Sequence, residues 1–201
     1  MLNDSFFDQD ACVVAQSLLG KIIYRKIDNT WLKVRVIETE AYYIHDKASH
    51  SSCGRTPSRE AMFMSPGTIY MYYARGRSSL NISVAGLGNA VLIKSGYPDL
   101  DHQNTDSMLT IMRMHYNDLN RGVHKLCNGQ TLLCQALGLT VHDWNKKKFS
   151  KNSFFIKDEG IQPKKIIATT RLGIPQGRDE HLPYRFIDED FIKLCSKAVN
   201  K

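Results

Sequence analysis

Residues 34–53 read VRVIETEAYYIHDKASHSSC. β-branched residues lead into two glutamates and two tyrosines, and a histidine follows eight residues after Tyr42. Side chains alternate faces along a strand, so in a strand over 31–42 one side carries Leu32, Val34, Val36, Glu38, Glu40 and Tyr42. Both glutamates are then expected to follow three aliphatics on the inward face, with Lys33, Arg35 and Thr39 on the more exposed one. A carboxylate placed there meets a desolvation cost unless a cation or hydrogen-bond donor offsets it. The end of such a strand, at a pocket mouth, suits a general base. Glu38 reads more simply as the partner of an arginine. Glu40 has Tyr42 two residues on, pointing the same way.

The stretch YMYY repeats this spacing with Tyr70 and Tyr72. Ring faces attract positive charge, so an acid between aromatic walls suits a flat, electron-poor or cationic ligand. Ordinary packing of strand tyrosines is the alternative.

Working outward, residues 10–19 are expected to be helical, with Asp10 as N-cap and Gly20 just past the end. Strands over 21–27 and 31–42 flank the turn signal DNT. SREAMF reads as a short helix, GTIYMYYA and LNISVA as strands joined through RGRSS, and NAVLIKS as a short buried strand. In 106–119, Met108, Leu109, Met112, Tyr116 and Leu119 recur at helical spacing, a core stripe rather than a cofactor box. TLLCQALGL reads as a helix, PKKIIATTRLGI as a strand and DEDFIKLCSKAV as a C-terminal helix. Strands joined mostly through hairpin-length connections predict an α+β fold with an antiparallel or mixed sheet. No repeat or linker divides the 201 residues, so one domain over 1–201 is expected.

Hydrophobic residues at 42% and charged residues at 23% are ordinary for a soluble globular protein. The apolar runs are too short to cross a membrane, and the acidic N-terminus does not resemble a secretory signal, so an intracellular protein is expected. Five scattered cysteines show neither a disulfide framework nor a CxxC pair, and read as free thiols. A net charge of +7 favours polyanionic partners, although its clearest block, NKKKFSK at 145–151, reads first as a solvated loop.

Other chemistries fit poorly. His45, His50 and Cys53 match no common zinc spacing, and no metal is expected. GxSxG, GxGxxG and Walker-type motifs are absent, and no cofactor is implied. Two glutamates at i, i+2 have backbones about 6–7 Å apart on one face, an awkward arrangement for attack and protonation from opposite sides of a glycoside.

Several longer pieces occur together: VIETEAY, ASHSSCGRTPSREAMFMSPGTIYMY, LNIS, LCQALGL and TRLGI. In these the chain resembles, nearly end to end, the alkyladenine (3-methyladenine) DNA glycosylase family, the one without a helix-hairpin-helix motif. The resemblance implies a single compact domain around a curved antiparallel sheet, with a β-hairpin that enters DNA. It implies extrusion of an alkylated or deaminated purine from double-stranded DNA and hydrolysis of its N-glycosidic bond, with no lyase step and by a monomer. Glu40 then matches the base that activates water, with Glu38 in support. Tyr42 and Tyr72 match an aromatic pair that sandwiches the base, and His50 lies between them. Asn81 matches a residue that crowds the purine, and Leu172 one whose carbonyl holds the water. Arg55, Thr56, Arg75 and Arg77 fall where DNA would be contacted.

The pattern also departs from the family. Arg75 replaces a tyrosine at the hairpin tip, and an arginine wedges and stacks while meeting phosphates. Lys94 replaces an arginine beside the water, keeping the charge and losing the planar fork. The segment CNGQTLLCQAL lacks a proline and a lysine. These departures leave open a second reading, a damage-recognising binder of the same fold with weak turnover.

Overall fold

A computed structural model describes residues 1–101 and 103–196. The chain opens with two short helices, α1 (Asp4–Phe7) and α2 (Ala11–Leu18). The Asp10 carboxylate accepts from the amides of Cys12 and Val13, capping α2 as expected. Gly20 then turns at a φ of +83°, and a Cβ there would lie 2.5 Å from the Ile161 carbonyl oxygen, so only glycine fits.

Strands β1 (Ile22–Ile27), β2 (Thr30–Tyr42), β3 (Ile69–Ala74), β4 (Arg77–Ser83) and β5 (Ala90–Pro98) follow. Next come α3 (Thr105–Met114), α4 (Gln130–Ala136) and α5 (Val141–Trp144), then β6 (Phe154–Lys157), β7 (Ile166–Thr169) and β8 (Arg185–Asp188). All strand pairs are antiparallel, in the order β3-β4-β5-β2-β1-β6, with β8 added to β2 and β7 to β8. The sheet curls around a core made with α2, α3 and α4, and the α+β class expected from the sequence is what the chain adopts.

Two register shifts in β2 bear on where the glutamates point. The β2–β5 pairing shifts between Val36 and Glu38 and again before Thr39. Leu32, Val34 and Val36 lie in the main core, but beyond the irregularity it is Ala41 that does so, and the Thr39 hydroxyl donates to the Ala15 carbonyl in α2 at 2.7 Å. Ile37 belongs to a separate cluster with Ile187 and Cys195. Glu38, Glu40 and Tyr42 therefore share the face of Arg35 and Ile37, opposite the one expected. A bulge supplies the physical reason, because one extra residue reverses the alternation. That second face is also covered: Arg35 pairs with Asp188 at 2.7 Å and lies over the Phe191 ring at 4.7 Å. Thr39, expected to be exposed, is buried.

Other expectations shift too. SREAMF forms only a 3₁₀ turn over Glu60–Phe63. The α3 stripe buries Met108, Leu109 and Met112, but the helix stops at Met114 and Leu119 is 62% exposed. PKKIIATTRLGI contains a four-residue strand, and DEDFIKL forms a 3₁₀ turn over Glu189–Leu194, with residues 197–199 of that expected helix outside the described residues. The basic block is no free loop. The Ile69 amide donates to the Lys147 carbonyl and the Lys146 amide to the Ile69 carbonyl, which covers the open edge of β3. No helix among the described residues is long and apolar enough to cross a membrane.

Candidate active site

The end of β2 delivers Glu40 to a fully covered position with no solvent exposure. Its pairing partner on β5 is Leu92, and Lys94 two residues along projects from the same face. The Lys94 ammonium meets Glu40 Oε1 at 3.2 Å, and the Leu172 amide donates to the same oxygen at 3.4 Å. The Tyr42 hydroxyl donates to Oε2 at 2.7 Å. Burial, then the neighbouring Glu40 charge, pushes the Tyr42 phenol well above its ordinary value, so it remains a donor. A buried carboxylate thus has a cation and two donors, the offsets its position demands.

Beside this group lies a cleft of about 1190 Å³ lined by Tyr42, His50, Tyr72, Asn81, Lys94 and Leu172, and also by Arg75 and Arg77. Tyr70 and Tyr72 stack at 5.7 Å between centroids, and the His50 ring meets Tyr72 edge-on at 4.3 Å. His50 Nδ1 lies 2.9 Å from the Tyr70 hydroxyl. Partial desolvation, then the Arg59 and Arg178 charges, pushes the His50 imidazole below its ordinary value and keeps it neutral. The Asn81 side-chain amide donates to the Tyr70 carbonyl at 3.3 Å, which fixes its orientation on β4.

The structure thus brings together Glu40, Tyr42, His50, Tyr72, Asn81, Lys94 and Leu172. Leu172 reaches Glu40 through its amide, which leaves its carbonyl free of that contact. Arg75 and Gly76 both have positive φ and form the two-residue turn of the β3–β4 hairpin, placing Arg75 at its tip. Arg55 and Thr56 stand apart from the cleft: Arg55 pairs with Glu60 at 2.8 Å, and the Thr56 hydroxyl meets Ser58. Glu38 has the arginine partner expected of it, Arg185 at 2.6 Å.

Sequence reasoning missed Arg171, Arg178 and Gln130. Arg178 and Gln130 line the cleft, and Gln130 donates to the Tyr72 hydroxyl at 3.4 Å. Arg171 and Gln130 sit inside TRLGI and CNGQTLLCQAL, which offered a signal, whereas nothing local marks Arg178. Among the described residues, no group of three or more His, Cys, Asp or Glu side chains could hold a metal ion.

A family model described as Methylpurine-DNA glycosylase (MPG) matches residues 5–191. A relative from Pseudomonas aeruginosa is 51% identical over 98% of this chain and 83% of its own length. One from Pseudomonas syringae pv. tomato is 50% identical over 98% and 89%, and one from Clostridium beijerinckii 33% identical over 94% and 96%. All three carry the name "Putative 3-methyladenine DNA glycosylase". Matched along nearly its whole length, the chain belongs to the methylpurine-DNA glycosylase family.

Proposed function

We propose that this protein excises alkylated or deaminated purines from double-stranded DNA by hydrolysis, with Glu40 as general base. The observation that carries the reading is the buried Glu40 carboxylate, held by Lys94, Tyr42 and Leu172, three residues that line an aromatic-walled cleft. A damaged nucleotide rotated out of the duplex stacks against Tyr42 and Tyr72, at about 1–3 kcal/mol per base, which offsets much of the unstacking cost. Neutral His50 contacts the base or its phosphate without repelling a cationic purine.

In the reaction, the oxygen of a water attacks C1′ and its proton passes to Glu40. The C1′–N bond breaks, and its electron pair leaves with the base. A 3-methyladenine or 7-methylguanine already carries positive charge and departs as a neutral molecule, so activating the water and stabilising charge on the sugar are the main demands. Lys94 is the one lysine among the residues lining the cleft, and its ammonium is committed to Glu40. We therefore expect hydrolysis without lyase activity.

Single-turnover assays on duplexes carrying 7-methylguanine or hypoxanthine test this, comparing wild type with Glu40→Gln in EDTA. Base release by wild type, and a loss of about 100-fold or more in the variant, is the expected result. Tight binding without release would favour a damage-recognising binder instead.

A further inference from the structure

We propose that Arg171 is the positioning residue of this site: its guanidinium, clamped by Asp46, sets both the Tyr42 ring and the Leu172 backbone against Glu40. Arg171 is 4% exposed and forks onto Asp46, which is itself buried, through both terminal nitrogens. The same nitrogens reach the Ala41 carbonyl at 3.1 Å and the Asp179 carbonyl at 3.3 Å. The planar group lies over the Tyr42 ring at 4.6 Å and the Tyr184 ring at 5.4 Å.

One side chain therefore registers three segments: the end of β2, the turn after it, and the loop over 171–184. Each donor to Glu40 other than Lys94 adjoins this clamp. Tyr42 follows Ala41, whose carbonyl Arg171 holds, and its ring is covered by the guanidinium. Leu172 is the next residue after Arg171 itself. A movement of Arg171 would displace both donors and tilt one wall of the cleft.

Stability alone does not call for such a group. Buried ion pairs are often replaceable by apolar residues at little cost, so their value lies in the geometry they impose. Only a planar fork engages a carboxylate and two carbonyls while stacking on a ring; an ammonium does not. Burial pulls the guanidinium down, but Asp46, Tyr42 and Glu40 more than offset this, so it stays charged.

The inference rests on the glycosylase reading above. It is tested with Arg171→Lys, which keeps charge and loses the fork, and Asp46→Asn, which keeps shape and loses the counter-charge. Active-site titration gives the fraction of competent molecules, and single-turnover release gives the rate per competent molecule. A displacement of about 1 Å at a reacting centre costs on the order of 100-fold, so Arg171→Lys is expected to lower that rate by about 100-fold, and Asp46→Asn by about tenfold. Duplex affinity, to which Arg75 and Arg77 on the β3–β4 hairpin are expected to contribute, should change much less.

A purely structural role predicts the reverse: fewer competent molecules, each with the wild-type rate, and that result in either variant would overturn the proposal. If Arg171→Lys does not fold, Asp46→Asn decides. Absence of base release from wild type would sink the glycosylase reading and this inference with it. Active wild type with unimpaired variants would sink this inference alone.

Discussion

His50 shows how strongly a residue's neighbours set its chemistry. It is edge-on to Tyr72, bonded to Tyr70, and close enough to Arg59 and Arg178 for both to disfavour its charged form. Its folded value lies below the unfolded one of about 6.5. As pH falls through 6.5 the unfolded chain therefore takes up a proton that the folded chain resists. Its contribution to stability is intact above that pH and is lost as pH falls through and below it. Titration of the imidazole by NMR should show a midpoint below the ordinary histidine value, and Arg178→Met should raise it by removing a like charge. An unmoved or lowered midpoint in the variant would refute the arrangement. Glu40 with Tyr42, and Tyr70 with Tyr72, were legible as i, i+2 pairs, although the bulge reversed the face expected for the first pair, and His50 joined them only through the family resemblance. Arg178 was not legible, since a cleft-lining arginine looks the same in a sequence as a solvated one.

At the level of elements, β2 pairs with three strands, and the bulge near Glu38 lets its two faces serve different ends. Glu38 binds the Nε of Arg185 in β8 at 2.6 Å, and accepts from the Ser95 hydroxyl at 2.5 Å and the Ser196 amide at 2.9 Å. Ser196 also lines the cleft, so this network fastens the chain after β8 to the site. Breaking a buried pair from one side strands a charge, and Arg185→Met is expected to cost about 3–5 kcal/mol in urea denaturation. Removing Lys157 from its more exposed pair with Glu159 should cost less than about 1 kcal/mol, and equal losses would contradict the distinction.

The hairpins were readable because turn chemistry is local: DNT joins β1 to β2, and Arg75-Gly76 joins β3 to β4. β6 and β8 were missed because each has four residues and acquires its meaning only from a distant partner. The adjacent apolar pair Val36-Ile37 was the available sign of the bulge, since strict alternation does not allow it. At the hairpin tip, Arg75→Asn keeps the positive-φ turn and removes the guanidinium. A stack worth about 1–2 kcal/mol corresponds to a loss of roughly tenfold on duplex substrate, with a smaller loss on single strands that need no wedge. Equal losses on both would remove the wedge argument.

Across the whole molecule, the +7 charge is distributed in a way that its sequence position does not reveal. The conspicuous lysine block is partly spent: Lys146 pairs with Glu60 at 2.7 Å, Lys148 with Asp4 at 3.3 Å, and Lys147 lies over the Trp144 ring at 5.7 Å. Arg75, Arg77 and Arg178 line the cleft instead, and among the described residues none of the three is in an ion pair. Unneutralised positive charge beside a concave site attracts a polyanion and orients it there. Each phosphate neutralised on duplex DNA contributes about −0.9 to the slope of log affinity against log salt. Replacing the three arginines together by glutamine is thus expected to flatten that slope by up to about 2.7, three times the single-contact value. Replacing Lys147 and Lys151 should change it far less. Fluorescence anisotropy across a salt series measures both. If the lysine pair carries the slope and the arginines do not, DNA lies across the β3 edge rather than over the cleft, and the reading of Glu40 as the base loses its support.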